Sequence, residues 1–171
     1  YVCQQCEHGK STNGALNNVG KDSCQDCLPG RSRSNDNNEM KCQLCETGYY
    51  QGVTGSKLCN IVTTGFYVYN CSDIKNQIGC TKVFLCEEGH SCLHGKKKEC
   101  ENGTSATGVG NFRCYDCPPG RYANTTQSSS CKECPTAKVA KDYKSAECKT
   151  CLELGIPGAP NARKNDCSQC E

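Results

Sequence analysis

The chain has 171 residues and a net charge of +2, with 20 basic side chains well mixed among 18 acidic ones, so it carries no basic footprint for nucleic acid and no acidic tail. Cysteine accounts for 20 residues, whereas Leu, Ile, Val and Phe together number 23 and Trp is absent. That composition excludes a single large apolar core: ordering one residue costs roughly 1–2 kcal/mol, and chains this poor in large apolar side chains stay disordered unless something staples them.

Most cysteines come in C-x-x-C pairs: Cys3/Cys6, Cys24/Cys27, Cys42/Cys45, Cys114/Cys117, Cys131/Cys134, Cys148/Cys151 and Cys167/Cys170. The second cysteine leads into x-x-Gly, as in Cys6-Glu7-His8-Gly9, Cys27-Leu28-Pro29-Gly30, Cys45-Glu46-Thr47-Gly48 and Cys117-Pro118-Pro119-Gly120. The same frame holds at Cys86-Glu87-Glu88-Gly89 and Cys100-Glu101-Asn102-Gly103, and Cys100, Cys117, Cys134 and Cys151 follow one another at 17-residue steps. This is a repeat. Residues 1–58 read as N-terminal C-x-x-C repeats, 59–99 as a divergent linking module and 100–171 as regular repeats. In the divergent part Val62 replaces a second cysteine and Lys97 a first one. Cys71, Cys80, Cys86 and Cys92 are expected to pair among themselves and with the orphans Cys59 and Cys100.

The glycine permits a turn with positive φ, and the residues after it start short strands. Gly48-Tyr49-Tyr50, Gly65-Phe66-Tyr67-Val68-Tyr69 and Gly120-Arg121-Tyr122 are such starts, each with an aromatic ring able to shield a disulfide. Ala123 through Ser130 reads as a hairpin turn, and Ala140–Tyr143 as a single turn of helix. The expected fold is small and disulfide-rich: an elongated tandem array of short irregular β modules with almost no helix, stacked nearest-neighbour and well above the ~15 Å radius of gyration of a compact domain this size.

The cysteines are crosslinks or metal ligands, and the choice fixes the compartment. The spacing C-x2-C-x13-C-x2-C resembles a zinc ribbon. However, the pairs run on without a break into fours, the middle segment breaks the ligand spacing, and an independent zinc site loses affinity when Val replaces a ligand. Redox C-x-x-C chemistry wants one pair at a helix N-terminus, not seven in loops. Disulfides are therefore expected, and a loop of ~15 residues closed by one contributes on the order of 3 kcal/mol. Sequons at Asn70-Cys71-Ser72, Asn102-Gly103-Thr104 and Asn124-Thr125-Thr126 point to N-glycosylation, with Asn102 and Asn124 the better placed.

No catalytic set stands out. His90 and His94 flank Cys92 and, like His8, read as surface histidines, because a nucleophile needs a free thiolate. Lys96-Lys97-Lys98 reads as a solvated turn. No metal, cofactor or enzyme activity is expected, and no apolar run reaches the ~20 residues of a membrane span. The lack of an initiator Met or leader fits a mature segment or a fragment.

The unit Cys117-Pro118-Pro119-Gly120-Arg121-Tyr122 … Cys131-Lys132-Glu133-Cys134-Pro135 resembles the ephrin-receptor-like cysteine-rich repeat, and Cys86 … Cys92 … Cys100-Glu101-Asn102-Gly103-Thr104 is similar to the linking unit between such repeats. Tumour-necrosis-factor-receptor and growth-factor-receptor cysteine-rich modules, and protist surface antigens, are similar in style. Departures are Val62, Lys97 and Ala137, which stands where the glycine belongs. The family style suggests first-to-third and second-to-fourth pairing: Cys3–Cys24 with Cys6–Cys27, Cys114–Cys131 with Cys117–Cys134, and Cys148–Cys167 with Cys151–Cys170. The rival joins each second cysteine to the next first one, as in Cys117–Cys131, and leaves Cys3 and Cys170 to find partners beyond this segment. The resemblance implies an extracellular scaffold delivered by the secretory pathway. The leading expectation is a structural repeat of a surface protein or extracellular filament, contacting other protein chains, including copies of itself, and bearing N-linked glycans. The alternatives are a receptor-ectodomain or surface-antigen binding module, and an intracellular zinc-binding protein.

Overall fold

The computed structural model describes residues 6–12, 24–34, 36, 41–69, 71 and 79–168. They fall into two compact units, one of Tyr1–Phe84 with His94–Lys96, the other of Leu85–Leu93 with Lys97–Glu171. Cys3, Cys170 and the sequon residue Asn70 lie outside the described residues.

Among the described residues the chain is a string of two-stranded sheets, with helix essentially absent. In chain order β1 (Lys10–Ser11) pairs β2 (Gln25–Asp26), β3 (Arg31–Ser32) pairs β4 (Gln43–Leu44) and β5 (Tyr49–Tyr50) pairs β6 (Asn60–Ile61). Next come β7 (Phe66–Tyr67) with β8 (Phe84–Leu85) and β9 (His90–Leu93) with β10 (Lys96–Glu99). The last four pairs are β11 (Thr104–Ser105) with β12 (Tyr115–Asp116), β13 (Arg121–Tyr122) with β14 (Lys132–Glu133), β15 (Lys138–Val139) with β16 (Lys149–Thr150), and β17 (Ala159–Pro160) with β18 (Cys167–Ser168).

Most of the hairpins are built the same way. The three residues after the second cysteine and the one following them form a β-turn: Arg31 N–H donates to the Leu28 carbonyl at 3.1 Å, and Arg121 N–H to the Pro118 carbonyl at 3.0 Å. The glycine takes the third turn position with positive φ, 80° at Gly30 and 86° at Gly120. Proline sits before it at Pro29 and Pro119, the type II pattern. The return strand is the x-x of the next C-x-x-C, as the register Arg121↔Glu133, Tyr122↔Lys132 shows. The Ala140–Tyr143 stretch is not a helical turn but part of the loop after β15.

The eighteen described cysteines form nine disulfides, and their pairing corrects the family-style expectation. Cys6–Cys24, Cys27–Cys42, Cys45–Cys59, Cys100–Cys114, Cys117–Cys131, Cys134–Cys148 and Cys151–Cys167 each join a second cysteine to the next first one. Cys6, Cys24, Cys27, Cys114, Cys117, Cys131, Cys134, Cys148, Cys151 and Cys167 thereby take partners other than those of the first-to-third and second-to-fourth scheme. The cause is strand geometry. Side chains alternate across a strand, so residues three apart face opposite sides. Cys114 and Cys117 flank the strand residues Tyr115 and Asp116, so one closes the hairpin just made and the other opens the next. In the divergent stretch Cys71–Cys80 and Cys86–Cys92 pair among themselves, as expected. Cys59 and Cys100 do not join them, because both already have regular partners in Cys45 and Cys114.

Cysteine, rather than branched aliphatics, fills the interior. Cys27, Cys86, Cys92, Cys100 and Cys117 are all fully buried, with Ala106, Ala123, Val139 and Ala140 between them. The aromatics do cover disulfides: Tyr122 packs against the cluster of Cys134, Ala140 and Cys148, and Tyr50 against that of Cys45, Cys71 and Cys80.

Candidate functional site

Main-chain hydrogen bonds join each hairpin to the next within a unit. The repeat glycine donates its N–H to the carbonyl three residues past the following turn: Gly30 to Gln51 at 2.7 Å, Gly103 to Ala123 at 2.7 Å, Gly120 to Ala140 at 2.8 Å. Its carbonyl accepts from the next second cysteine, as in Cys117 N–H to Gly103 at 2.9 Å and Cys134 N–H to Gly120 at 3.0 Å. The cysteine carbonyl in turn accepts from the following loop, from Gln127 at Cys100 and Lys144 at Cys117, both 2.9 Å. A Cβ on Gly103 would stand 2.1 Å from the Lys144 carbonyl oxygen, and one on Gly89 2.1 Å from that of Gln127. Glycine is thus required twice, for its φ and for the approach of the chain two modules on. Ala137 keeps the turn, with φ of 67°, and there the position is exposed.

The second interior device escaped sequence reasoning. Arg33 holds the position that Ala106, Ala123 and Ala140 fill elsewhere, and is buried at 3% exposure. Its Nη1 donates to the carbonyls of Cys6 at 3.1 Å, Glu7 at 3.0 Å and Lys10. Only its departure from the small residue three places past glycine could have signalled it. Serines one place earlier touch disulfide sulfur: Ser11 Oγ lies 3.4 Å from Cys42 Sγ, and Ser105 Oγ 3.2 Å from Cys131 Sγ.

The sequence-level site candidates separate cleanly. His8 and His94 are exposed. His90 Nδ1 lies 3.0 Å from the Glu88 carbonyl oxygen, and Cys92 between His90 and His94 is committed to Cys86. The lysine run is not a turn: Lys96–Glu99 is the exposed strand β10, with Lys97 Nζ 3.2 Å from Glu87 and Lys98 Nζ 2.8 Å from Glu101. Among the described residues no group of three or more His, Cys, Asp or Glu is placed to hold a metal ion. The cysteine sulfurs that a four-thiolate zinc site needs are bonded to one another.

Four exposed carboxylates titrate low. Hydrogen bonding from Lys98, and the charges of Lys98 and Lys144, hold Glu101 below its ordinary range. Asp36 is lowered by hydrogen bonds from Lys57 and Ser34. Backbone N–H donors lower Glu153 (from Thr150) and Asp166 (from Cys167).

Two surface features remain. In the second unit Arg113 stacks over the rings of Tyr115 at 4.7 Å and Phe112 at 5.5 Å, and Val109, Phe112 and Tyr115 are exposed. The sequon residues Asn102 and Asn124 are both exposed and line one shallow groove with Tyr122, Pro135, Lys138 and Glu147. Among the described residues no helix is long and apolar enough to cross a membrane. Neither protein-family models nor curated proteins give a match to the chain. The class the fold defines is a cysteine-rich repeat protein of tandem disulfide-stapled β-hairpins, and nine disulfides fit an oxidising, extracellular or secreted setting.

Proposed function

We propose that the chain is a non-enzymatic structural repeat of an extracellular surface protein or filament, bearing N-linked glycans. The observation that carries this reading is the module-to-module hydrogen-bond ladder through Gly30, Gly103 and Gly120, whose hairpins are closed by disulfides. Such a device holds a polar chain in shape without a large core and leaves proteases few extended segments. Its mechanism is mechanical. Force applied along the chain meets a covalent stop at seven of the nine described hairpins, because each loop between bonded cysteines is locked. Single-molecule stretching tests this. The oxidised chain should extend only by the residues outside the disulfide loops, and reduction should release the rest. Equal extension in both states would defeat the reading.

A second reading, a receptor-ectodomain or surface-antigen binding module, is favoured by the Phe112–Arg113–Tyr115 stack. Aromatic and arginine side chains are enriched at binding hot spots. Sedimentation of wild type and R113A/Y115A across a concentration range separates the two roles of this patch: loss of self-association in the variant favours copies of the same chain as the partner.

A further inference from the structure

We infer that Asn124, and not Asn102, carries the N-glycan of the second unit, and that its first sugars lie in the groove against Tyr122. This rests on the glycoprotein reading above. The two sequon asparagines are 22 residues apart in sequence, yet the ladder brings them together. The peptide N–H after Asn102 belongs to Gly103, and the carbonyl before Asn124 belongs to Ala123. These two groups form a hydrogen bond of 2.7 Å. Both asparagines therefore flank one bond and open into one groove of about 480 Å³, the size of a small-ligand site. It has room for the first sugars of one glycan.

The two sequons differ in what folding does to their hydroxyls. Thr104 is 6% exposed, and its Oγ1 donates to the Glu101 carbonyl at 2.7 Å, inside the turn whose third residue is Gly103. The Asn102 sequon is thus closed into a β-turn once its hairpin forms. Thr126 lies exposed in the loop after β13, so the Asn124 sequon stays open. Transfer joins Asn124 Nδ2 to the anomeric carbon of an oligosaccharide leaving a polyprenyl diphosphate donor; the amide loses one proton and the lipid diphosphate departs as the anion. Within the groove the chemistry suits a sugar. Tyr122 and Pro135 offer apolar surface for a pyranose face or an acetamido methyl, while Lys138 and Glu147 supply a donor and an acceptor for hydroxyls.

The test is secretion of wild type, N102Q, N124Q and Y122S from a eukaryotic host, with intact mass before and after peptide N-glycosidase. Serine is suited to position 122, because Ser11, Ser32 and Ser105 occupy the same place in other modules. Wild type and N102Q should carry one glycan here, and N124Q should lose it. Enzymatic release from native protein should be slow in wild type and at least ten-fold faster in Y122S. Glycans on both asparagines, on Asn102 alone, or release unaffected by Y122S would overturn the inference while leaving the glycoprotein reading intact. No glycan on any variant would overturn both.

Discussion

The Val62 amide donates to the Gly48 carbonyl at 2.8 Å, the bond that Cys27 makes to Gly9 and Cys117 makes to Gly103. Valine keeps the place of a cysteine in the ladder while losing its crosslink. Val62 is buried at 4% exposure, and the turn after it survives, with Gly65 at φ of 83°. In six of the seven stapled hairpins the partner cysteine immediately precedes the return strand. In the β7–β8 hairpin that place belongs to Val83, one residue before Phe84. Valine thus occupies both positions that a disulfide takes in the stapled hairpins, and the rings of Tyr67 and Phe84 pack in a tilted pair with centroids 5.7 Å apart in the same hairpin.

Restoring the pair should restore the bond. V62C/V83C is expected to secrete with one further disulfide and to gain about 3 kcal/mol, the contribution of a loop of this length. Non-reducing peptide mapping checks the bond and denaturant unfolding the gain. Either single variant should instead show a free thiol. A double variant with two free thiols would mean that the valines do not occupy equivalent cysteine positions.

The cysteine count, the repeat glycine and the short strands were legible in the sequence because each follows from a local rule: a thiol in an oxidising compartment, a positive φ, an alternation of side chains. The pairing was not legible, since the cysteines of Cys114-x-x-Cys117 can serve one partner hairpin or two until the two residues between them are known to be a strand. Val83 stayed hidden for the same reason, because a single Val before Cys86 has no meaning without the hairpin register. The groove shared by Asn102 and Asn124 depends on a hydrogen bond between modules, which no local pattern encodes. Arg33 was unreadable because an arginine in a polar loop is ordinarily solvated.

That arginine should matter to the first hairpins. Its guanidinium satisfies three carbonyls in a buried site, and hydrogen bonds involving a charged group are worth about 1.5–3 kcal/mol. R33M is expected to destabilise by about 2–3 kcal/mol, and R33K should not rescue it, because an ammonium lacks the planar fork. The local readout is the Gly9 amide, which donates to the Arg33 carbonyl at 2.8 Å. Its hydrogen-exchange protection should fall in both variants. Unchanged protection would show that the carbonyls find water instead.

Glu101 links stability to pH. Its folded-state pKa lies below the ordinary 4.5 of a glutamate, so the unfolded chain binds its proton first as pH falls. The contribution is present above about pH 4.5 and is lost as pH drops through the folded value. It is a surface effect, screened by salt. E101Q should therefore flatten the acid limb of the stability profile at low ionic strength and leave the neutral region almost unchanged. An identical acid limb in both proteins would assign the dependence to Asp36, Glu153 or Asp166.

The repeat position occupied by Gly120 and by Ala137 offers opposed substitutions. Gly120 is buried at φ of 86°, and a Cβ there would lie 2.3 Å from the Arg163 carbonyl oxygen. G120A must either strain the turn or push that chain away, so a loss above about 2 kcal/mol is expected, the sum of a left-handed alanine and a backbone clash. Ala137 already bears the left-handed strain, at φ of 67°, on an exposed surface. A137G removes that strain, partly offset by the greater freedom of glycine in the unfolded chain, for a net gain of about 0.5–1 kcal/mol. Denaturant unfolding with disulfides intact measures both. Should the two variants shift stability in the same direction, steric contact with the module two places on would not be what fixes glycine in the repeat.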